Sequence, residues 1–148
     1  MPSSARSACR YPIGLVVADS LTYLDSSALV KLVLREAETN ALRDFLKDHP
    51  FRVSSRIAEV EVIRAVARAG PRAVPAAHAL MRRIGLIELE PDILRAATRV
   101  RPPDLRTLDA IHVASVMSLA DELDVVVAYD TRLTAALTAA GSQVVSPR

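Results

Sequence analysis

Asp25 closes the apolar run Leu21-Thr22-Tyr23-Leu24, and Asp130 closes a second run, Val125-Val126-Val127-Ala128-Tyr129. Two more acids, Glu61 and Asp109, lie inside apolar-periodic stretches that read as helices. An acid at a strand's end can face the crevice in which open α/β sheets bind ligands. An acid on the buried side of a helix is costly unless something compensates it. A divalent cation shared by Asp25, Glu61, Asp109 and Asp130 would compensate all four together. Oxygen-only ligands suit Mg²⁺, with Mn²⁺ as a substitute, rather than zinc. Two like charges at 4 Å repel by roughly 4 kcal/mol at an effective dielectric near 20, so such a cluster draws a cation strongly. Bound Mg²⁺ can lower the pKa of a water and stabilise charge on a phosphoryl oxygen, which is the chemistry of phosphate-ester hydrolysis.

Each acid also has a plainer local reading. Asp25 before Ser26 and Asp130 before Thr131-Arg132-Leu133 both suit helix caps. Glu59 and Glu61 are two residues apart and cannot share a helix face, and spacing alone does not choose between them. Asp109 is surrounded by Leu105, Leu108, Ile111 and Val113, so its charge needs a partner. His112, three residues on, can face the same way, either as a ligand or as a polar group satisfying a carbonyl or a carboxylate. His49 and His78 have no partner at ligand spacing.

Other chemistries find less support. The single cysteine, Cys9, excludes an internal disulfide framework and a cysteine-based zinc site. No serine–histidine–acid spacing is convincing. Only four glycines are present, and none forms a phosphate-cradling GxGxxG or GxxxxGK pattern. Aromatic residues are 3% with no Trp, too few for a base-stacking platform. The net charge of +2 permits a polyanionic partner without requiring one. Nearly all the cations are arginines, the only lysines being Lys31 and Lys47. Arginine's fork suits phosphate contacts, but the same composition can reflect genome bias. No apolar run reaches the roughly 18 residues of a membrane span. Ile13 to Ala18 after Arg6 and Arg10 faintly resembles a secretion signal, but it is short and Asp19 interrupts it, so a cytoplasmic protein is expected.

The elements that must position these residues alternate between strand and helix. Residues 1–20 are expected to form a flexible N-terminal extension, with 13–18 as an alternative extra strand, and 21–148 to form one domain. Strands are expected at Leu21 to Leu24, Phe51 to Ser54, Leu86 to Leu89, Val125 to Tyr129 and Gln143 to Val145. The β-branched run at Val125 shows no alternation and reads as a central strand covered on both faces. Helices are expected from Ser26 or Ser27 as cap to Leu34, then over Glu36–Asp48, Ser55–Arg68, Pro75–Gly85, Pro91–Val100, Leu105–Leu123 and Thr131–Ala140. Connections too long for hairpins imply a largely parallel sheet, hence a three-layer α/β/α fold.

Tyr23-Leu24-Asp25-Ser26-Ser27-Ala28-Leu29-Val30-Lys31, Thr107-Leu108-Asp109-Ala110-Ile111-His112-Val113-Ala114 and Tyr129-Asp130-Thr131-Arg132-Leu133 together resemble PIN-domain ribonucleases, most closely the VapC toxins of bacterial toxin–antitoxin modules. The resemblance covers roughly residues 22–147. It implies a PIN-like fold and an acidic set at Asp25, Glu61, Asp109 and Asp130. For the glutamate, the family pattern is a serine, a glutamate six positions later and then Arg-Ala; Ser55, Glu61, Arg64 and Ala65 fit, which leaves Glu59 in reserve. Ser27 and Thr107 match hydroxyl residues that support the site in such proteins, and His112 stays a reserve ligand. The N-terminal extension departs from the family, whose members begin almost at the first strand.

The function this implies is a Mg²⁺-dependent endoribonuclease toxin that cuts tRNA or rRNA, inhibits translation and is neutralised by a VapB-like antitoxin. A homodimer is implied, and promoter DNA only indirectly, through the antitoxin. The RNA-binding residues stay unassigned. The rival is a catalytically weak PIN-like scaffold acting as a protein-binding or repressor component.

Overall fold

The computed structural model describes residues 20–148. The expected extension over 1–20, the alternative strand over 13–18 and Cys9 lie outside the described residues, except for Ser20, which is exposed.

Strand β1 (Leu21–Leu24) is buried at every position. Helix α1 (Ser26–Val33) follows at once. Its cap is Asp25, not Ser26 or Ser27: the Asp25 backbone is extended and its side chain accepts from the Ala28 N–H. Helix α2 (Thr39–Phe45) starts later than expected. Thr39 Oγ1 accepts from the Glu36 N–H and donates to the Lys31 carbonyl, which holds the chain before it as a turn. Its end tightens into a 3₁₀ turn at Leu46–Asp48.

Strand β2 (Arg52–Ser55) leads into α3 (Ile57–Val66) and α4 (Ala73–Met81). Strand β3 (Gly85–Ile87) precedes α5 (Pro91–Ala97), which has Pro91 in its first turn. Then come α6 (Thr107–Met117), β4 (Leu123–Val127), α7 (Thr131–Ala139) and β5 (Val144–Val145). Helix α6 is shorter at both ends than the expected Leu105–Leu123. The Leu105 N–H closes a turn on the Pro102 carbonyl. Beyond Met117, Ala120 takes φ 46°, a left-handed conformation that no α-helix can pass through. Gly141, the expected helix stop, has φ 91° after α7.

The five strands pair in the order β3-β2-β1-β4-β5. All four pairings are parallel. The middle strand is therefore β1; β4, expected to be central, is interior beside it. Pleating divides the core. Leu24 and Val127 point to a layer with Leu29, Leu42, Val62, Val66 and Met81. Tyr23, Val53 and Val126 point to the opposite layer with Val113, Val116, Leu133 and Leu137. Helices thus cover both faces, giving the three-layer α/β/α fold. Each such side chain fully buried contributes about 1.5–3 kcal/mol, which is what fixes the register of the short strands. No described helix is long and apolar enough to cross a membrane.

Candidate functional site

From β1 the chain proceeds outward through β2 to β3, and then returns to place β4 on the other side of β1. The reversal lies between β1 and β4, the place where open α/β sheets form a ligand crevice at the strands' carboxyl ends. Asp25 and Asp130 follow those two ends. The strand ends are laced together, because the Asp25 N–H donates to the Val127 carbonyl at 3.1 Å. Ser27 Oγ adds a second tie: it donates to Asp25 Oδ1 at 2.7 Å and accepts from the Tyr129 N–H at 2.9 Å. Asp25 Oδ1 also accepts from the Ala28 N–H at 2.9 Å, and Asp130 Oδ1 from the N–H groups of Arg132 and Leu133 at 2.9 and 3.0 Å. Cap and site are therefore compatible at both aspartates. One oxygen starts a helix, and no described hydrogen bond reaches the other.

Glu61 arrives on α3 and His112 on α6. Glu61 Oε2 accepts from His112 Nε2 at 2.7 Å and from Ser26 Oγ. Burial would raise the Glu61 carboxyl, but the His112 and Ser26 contacts outweigh it and hold the group below the usual carboxylate range. His112 is only 2% exposed, and its Nδ1 lies 2.6 Å from the Tyr23 hydroxyl. Both ring nitrogens are thus engaged, Nδ1 with the Tyr23 hydroxyl and Nε2 with the Glu61 carboxylate. Glu59 pairs instead with Arg56 at 3.2 Å, and Arg56 also holds Glu88.

Asp109 occupies the first turn of α6. Its Oδ2 is buried without a hydrogen-bond partner. Burial pushes its carboxyl above the usual range, the Asp130 charge pushes further, and Glu61 adds to this, while the Arg106 charge pulls the other way. Asp25, 3% exposed, is also raised by burial, against the donors Ser27 and Ala28. Thr107 is exposed at the start of α6 and makes no described hydrogen bond.

A cleft of about 460 Å³ opens beside Ser26, Ser27, Glu61 and Asp130, with Lys31 and Tyr129 on its wall. Lys31 is not a free cation there. It is paired with Glu36 at 2.5 Å and Glu38 at 2.9 Å, and its Nζ lies 4.8 Å from the centre of the Tyr129 ring.

Among the described residues no three His, Cys, Asp or Glu side chains are gathered as a ready-made set of metal ligands. This differs from the expectation of four acids converged on one point. Glu61 Oε2 is turned to His112 and Ser26, while Asp25 and Asp130 each commit one oxygen to a helix start and keep the other outside any described hydrogen bond. The donor set nevertheless fits a hard divalent cation. It is all oxygen, and Asp109 presents a buried carboxyl oxygen with no described hydrogen-bond partner.

The family model described as the PIN domain matches residues 22–136. The chain belongs to the PIN-domain family. Among similar proteins, ribonuclease VapC46 of Mycobacterium tuberculosis is 40% identical over 125 residues, covering 84% of this chain and 96% of that one. In fold, this PIN domain is similar to the crystal structure of M. tuberculosis VapC20, a sarcin-ricin loop cleaving toxin, with TM-score 0.70 and 21% identity over 85% of this chain and 99% of that one. It is similar too to a toxin–antitoxin complex from Klebsiella pneumoniae, with TM-score 0.66 and 19% identity over 86% of this chain and 98% of that one. The PIN domain here is thus VapC-like.

Three contributors were not singled out from the sequence: Tyr23, Ser26 and Lys31. Tyr23 could have been found. It precedes Asp25 by two along a strand, so the two side chains share a face. Ser26 and Lys31 carry no such signal, because their partners Glu61 and Glu38 are set by helix packing and by the turn after α1.

Proposed function

We propose that this PIN domain is an endoribonuclease toxin whose Asp25, Glu61, Asp109 and Asp130 hold Mg²⁺, with Mn²⁺ as a substitute, and hydrolyse a phosphodiester bond of RNA. The observation that carries the reading is the buried, partnerless Asp109 Oδ2, on a carboxyl that also feels the charges of Asp130 and Glu61. Negative charge concentrated in this way calls for a cation. When bound, the cation supplies charge neutralisation at a phosphoryl oxygen and a water acidified towards neutrality.

The chain's own residues do the rest. Ser27 fixes the Asp25 carboxylate against the β4 end through the Tyr129 amide. Glu61 is kept ionised by His112 and Ser26 and can accept a proton or orient water with Oε1, which no described hydrogen bond reaches. Arg106 and Arg132 are exposed at the starts of α6 and α7, beside Asp109 and Asp130. There they can grip backbone phosphates, contacts that position a nucleic acid without reading its sequence.

In this reading tRNA or rRNA is the substrate, and a VapB-like antitoxin closes the site and carries any contact with promoter DNA. The relatives named as ribonucleases and the toxin–antitoxin complex of similar fold support it. A second copy of the chain is a further partner: Val60 on α3, Leu94 on α5, and Leu108 and Met117 on α6 leave large apolar side chains at the surface. The test is a panel of RNA and DNA oligonucleotides with Mg²⁺, Mn²⁺ or chelator, followed by sequencing of RNA 5′ ends after brief induction in cells. Metal-dependent cuts at defined RNA positions are expected. No cleavage of any RNA, or equal cleavage in chelator, would refute the proposal.

A further inference from the structure

Behind Glu61 runs a column of polar side chains that crosses the core. Ser115 Oγ on α6 donates to Ser55 Oγ at the end of β2, at 3.0 Å. The Ser55 N–H donates to the Tyr23 hydroxyl on β1 at 3.2 Å. The hydroxyl meets His112 Nδ1 at 2.6 Å, and His112 Nε2 meets Glu61 Oε2 at 2.7 Å. Tyr23, Ser55 and Ser115 are wholly buried and His112 nearly so. A phenol and an imidazole in a core are costly unless every polar atom is satisfied, and apolar side chains could fill the same space at less risk.

The groups that can only donate or only accept set the direction of the protons in this column, in which Ser26 Oγ also lies 3.2 Å from His112 Nε2. The Ser55 amide must donate, so the Tyr23 oxygen accepts there. A phenol carries its proton at neutral pH, and here it is wholly buried. Its proton then goes to His112 Nδ1. With Nδ1 accepting, the ring proton sits on Nε2, where the acceptor-only Glu61 carboxylate receives it. Ser26 Oγ donates to the same Glu61 oxygen. Oε2 is thus pinned by two donors from two helices, and Oε1 remains uncommitted on a residue that lines the cleft.

We propose that His112, locked in its Nε2–H tautomer by Tyr23, is a positioning residue that aims Glu61 Oε1 into the cleft. The inference rests on the nuclease reading for what Glu61 then does, while the tautomer and the anchoring of Glu61 stand on geometry alone. His112 itself touches neither substrate nor cation. It acts only through the carboxylate it holds, as buried partners orient carboxylate and histidine ligands elsewhere.

The experiment uses the full chain and its variants Tyr23→Phe, His112→Ala and His112→Gln, with folding checked by circular dichroism. Three quantities are read: the His112 tautomer by ¹⁵N NMR in chelator, Mn²⁺ affinity by calorimetry without RNA, and kcat and KM for RNA with Mg²⁺. The wild type should show the neutral Nε2–H form. His112→Ala should lose about 10–100-fold in kcat or in Mn²⁺ affinity, with KM for RNA little changed. His112→Gln, whose amide can donate near the Nε2 position, should recover most of that loss, and Tyr23→Phe should lose less than His112→Ala. The proposal is overturned by an Nδ1–H tautomer, by folded His112→Ala within about twofold of wild type in both quantities, or by folded His112→Gln as impaired as His112→Ala. Wild type that neither binds Mn²⁺ nor cuts RNA would sink the nuclease reading instead, and the NMR result would still decide the tautomer. Should His112→Ala fail to fold, the Gln and Phe variants carry the same comparison.

Discussion

Replacing Asp109 by Asn should make the protein inactive and more stable at once. The Asp109 carboxyl is raised first by burial and then by the charges of Asp130 and Glu61, so its ionised form strains the folded state. Like charges at close range cost roughly 4 kcal/mol at an effective dielectric of 20, and screening of a half-buried group leaves about 1 kcal/mol. The partnerless Oδ2 adds about 1 kcal/mol. Against this, an anion in the first turn of α6 returns about 0.5 kcal/mol, which Asn forfeits. Asn also leaves a buried polar atom, so a net gain of about 1 kcal/mol is expected, or about 2–4 °C in Tm for a domain of this size.

The pH dependence has a definite sign. A carboxyl whose pKa is raised on folding costs nothing below its unfolded value of 3.8, and the cost grows as pH rises, becoming complete above the folded pKa. The advantage of Asn should therefore vanish near pH 4 and be largest at neutral pH. Mg²⁺ should invert the order. At 100 times its Kd, a bound cation stabilises the wild type by about 2.7 kcal/mol, and the Asn variant gains less. Thermal unfolding followed by circular dichroism, in chelator and in saturating Mg²⁺ across pH 4–8, reads all three effects. An Asn variant less stable than wild type in chelator at pH 7, or one that gains as much from Mg²⁺, would refute the reasoning.

Asp25→Ala removes the α1 cap and should cost about 1–2 kcal/mol in urea unfolding, whereas Asp25→Asn keeps an acceptor and should stay within about 1 kcal/mol; both should abolish cleavage. Ser27→Ala leaves the Tyr129 N–H without its acceptor, so unfolding should show a loss of about 1–3 kcal/mol and cleavage should fall with it. Glu59→Gln breaks only an exposed pair with Arg56, and stability should move by no more than about 0.5 kcal/mol with cleavage unchanged in the same RNA assay. Arg106→Gln and Arg132→Gln should each weaken binding to RNAs of different sequence alike and flatten the plot of log affinity against log salt by about 0.7 for each phosphate that is no longer neutralised.

Much of the architecture was legible in the residue pattern. The alternation of short apolar runs with helical periods led to the parallel, helix-covered sheet, and Asp25 and Asp130 stood where strand ends meet helix starts. Helix ends were less legible. Nothing in Ser118-Leu119-Ala120 announces a left-handed residue, and α6 stops there because the chain must turn back into β4. The choice between Glu59 and Glu61 was open to spacing; packing turns Glu61 to His112 and Glu59 to Arg56.

The amino-acid order by itself determined that Asp25 and Asp130 follow strand ends and which faces of helices are apolar, because strand and helix periods are local properties of the backbone. Only the folded chain decided where each carboxylate points. That choice depends on donors brought from distant segments, such as the Tyr23 and His112 pair, 89 positions apart in sequence, and those meet only once both layers have closed on the sheet.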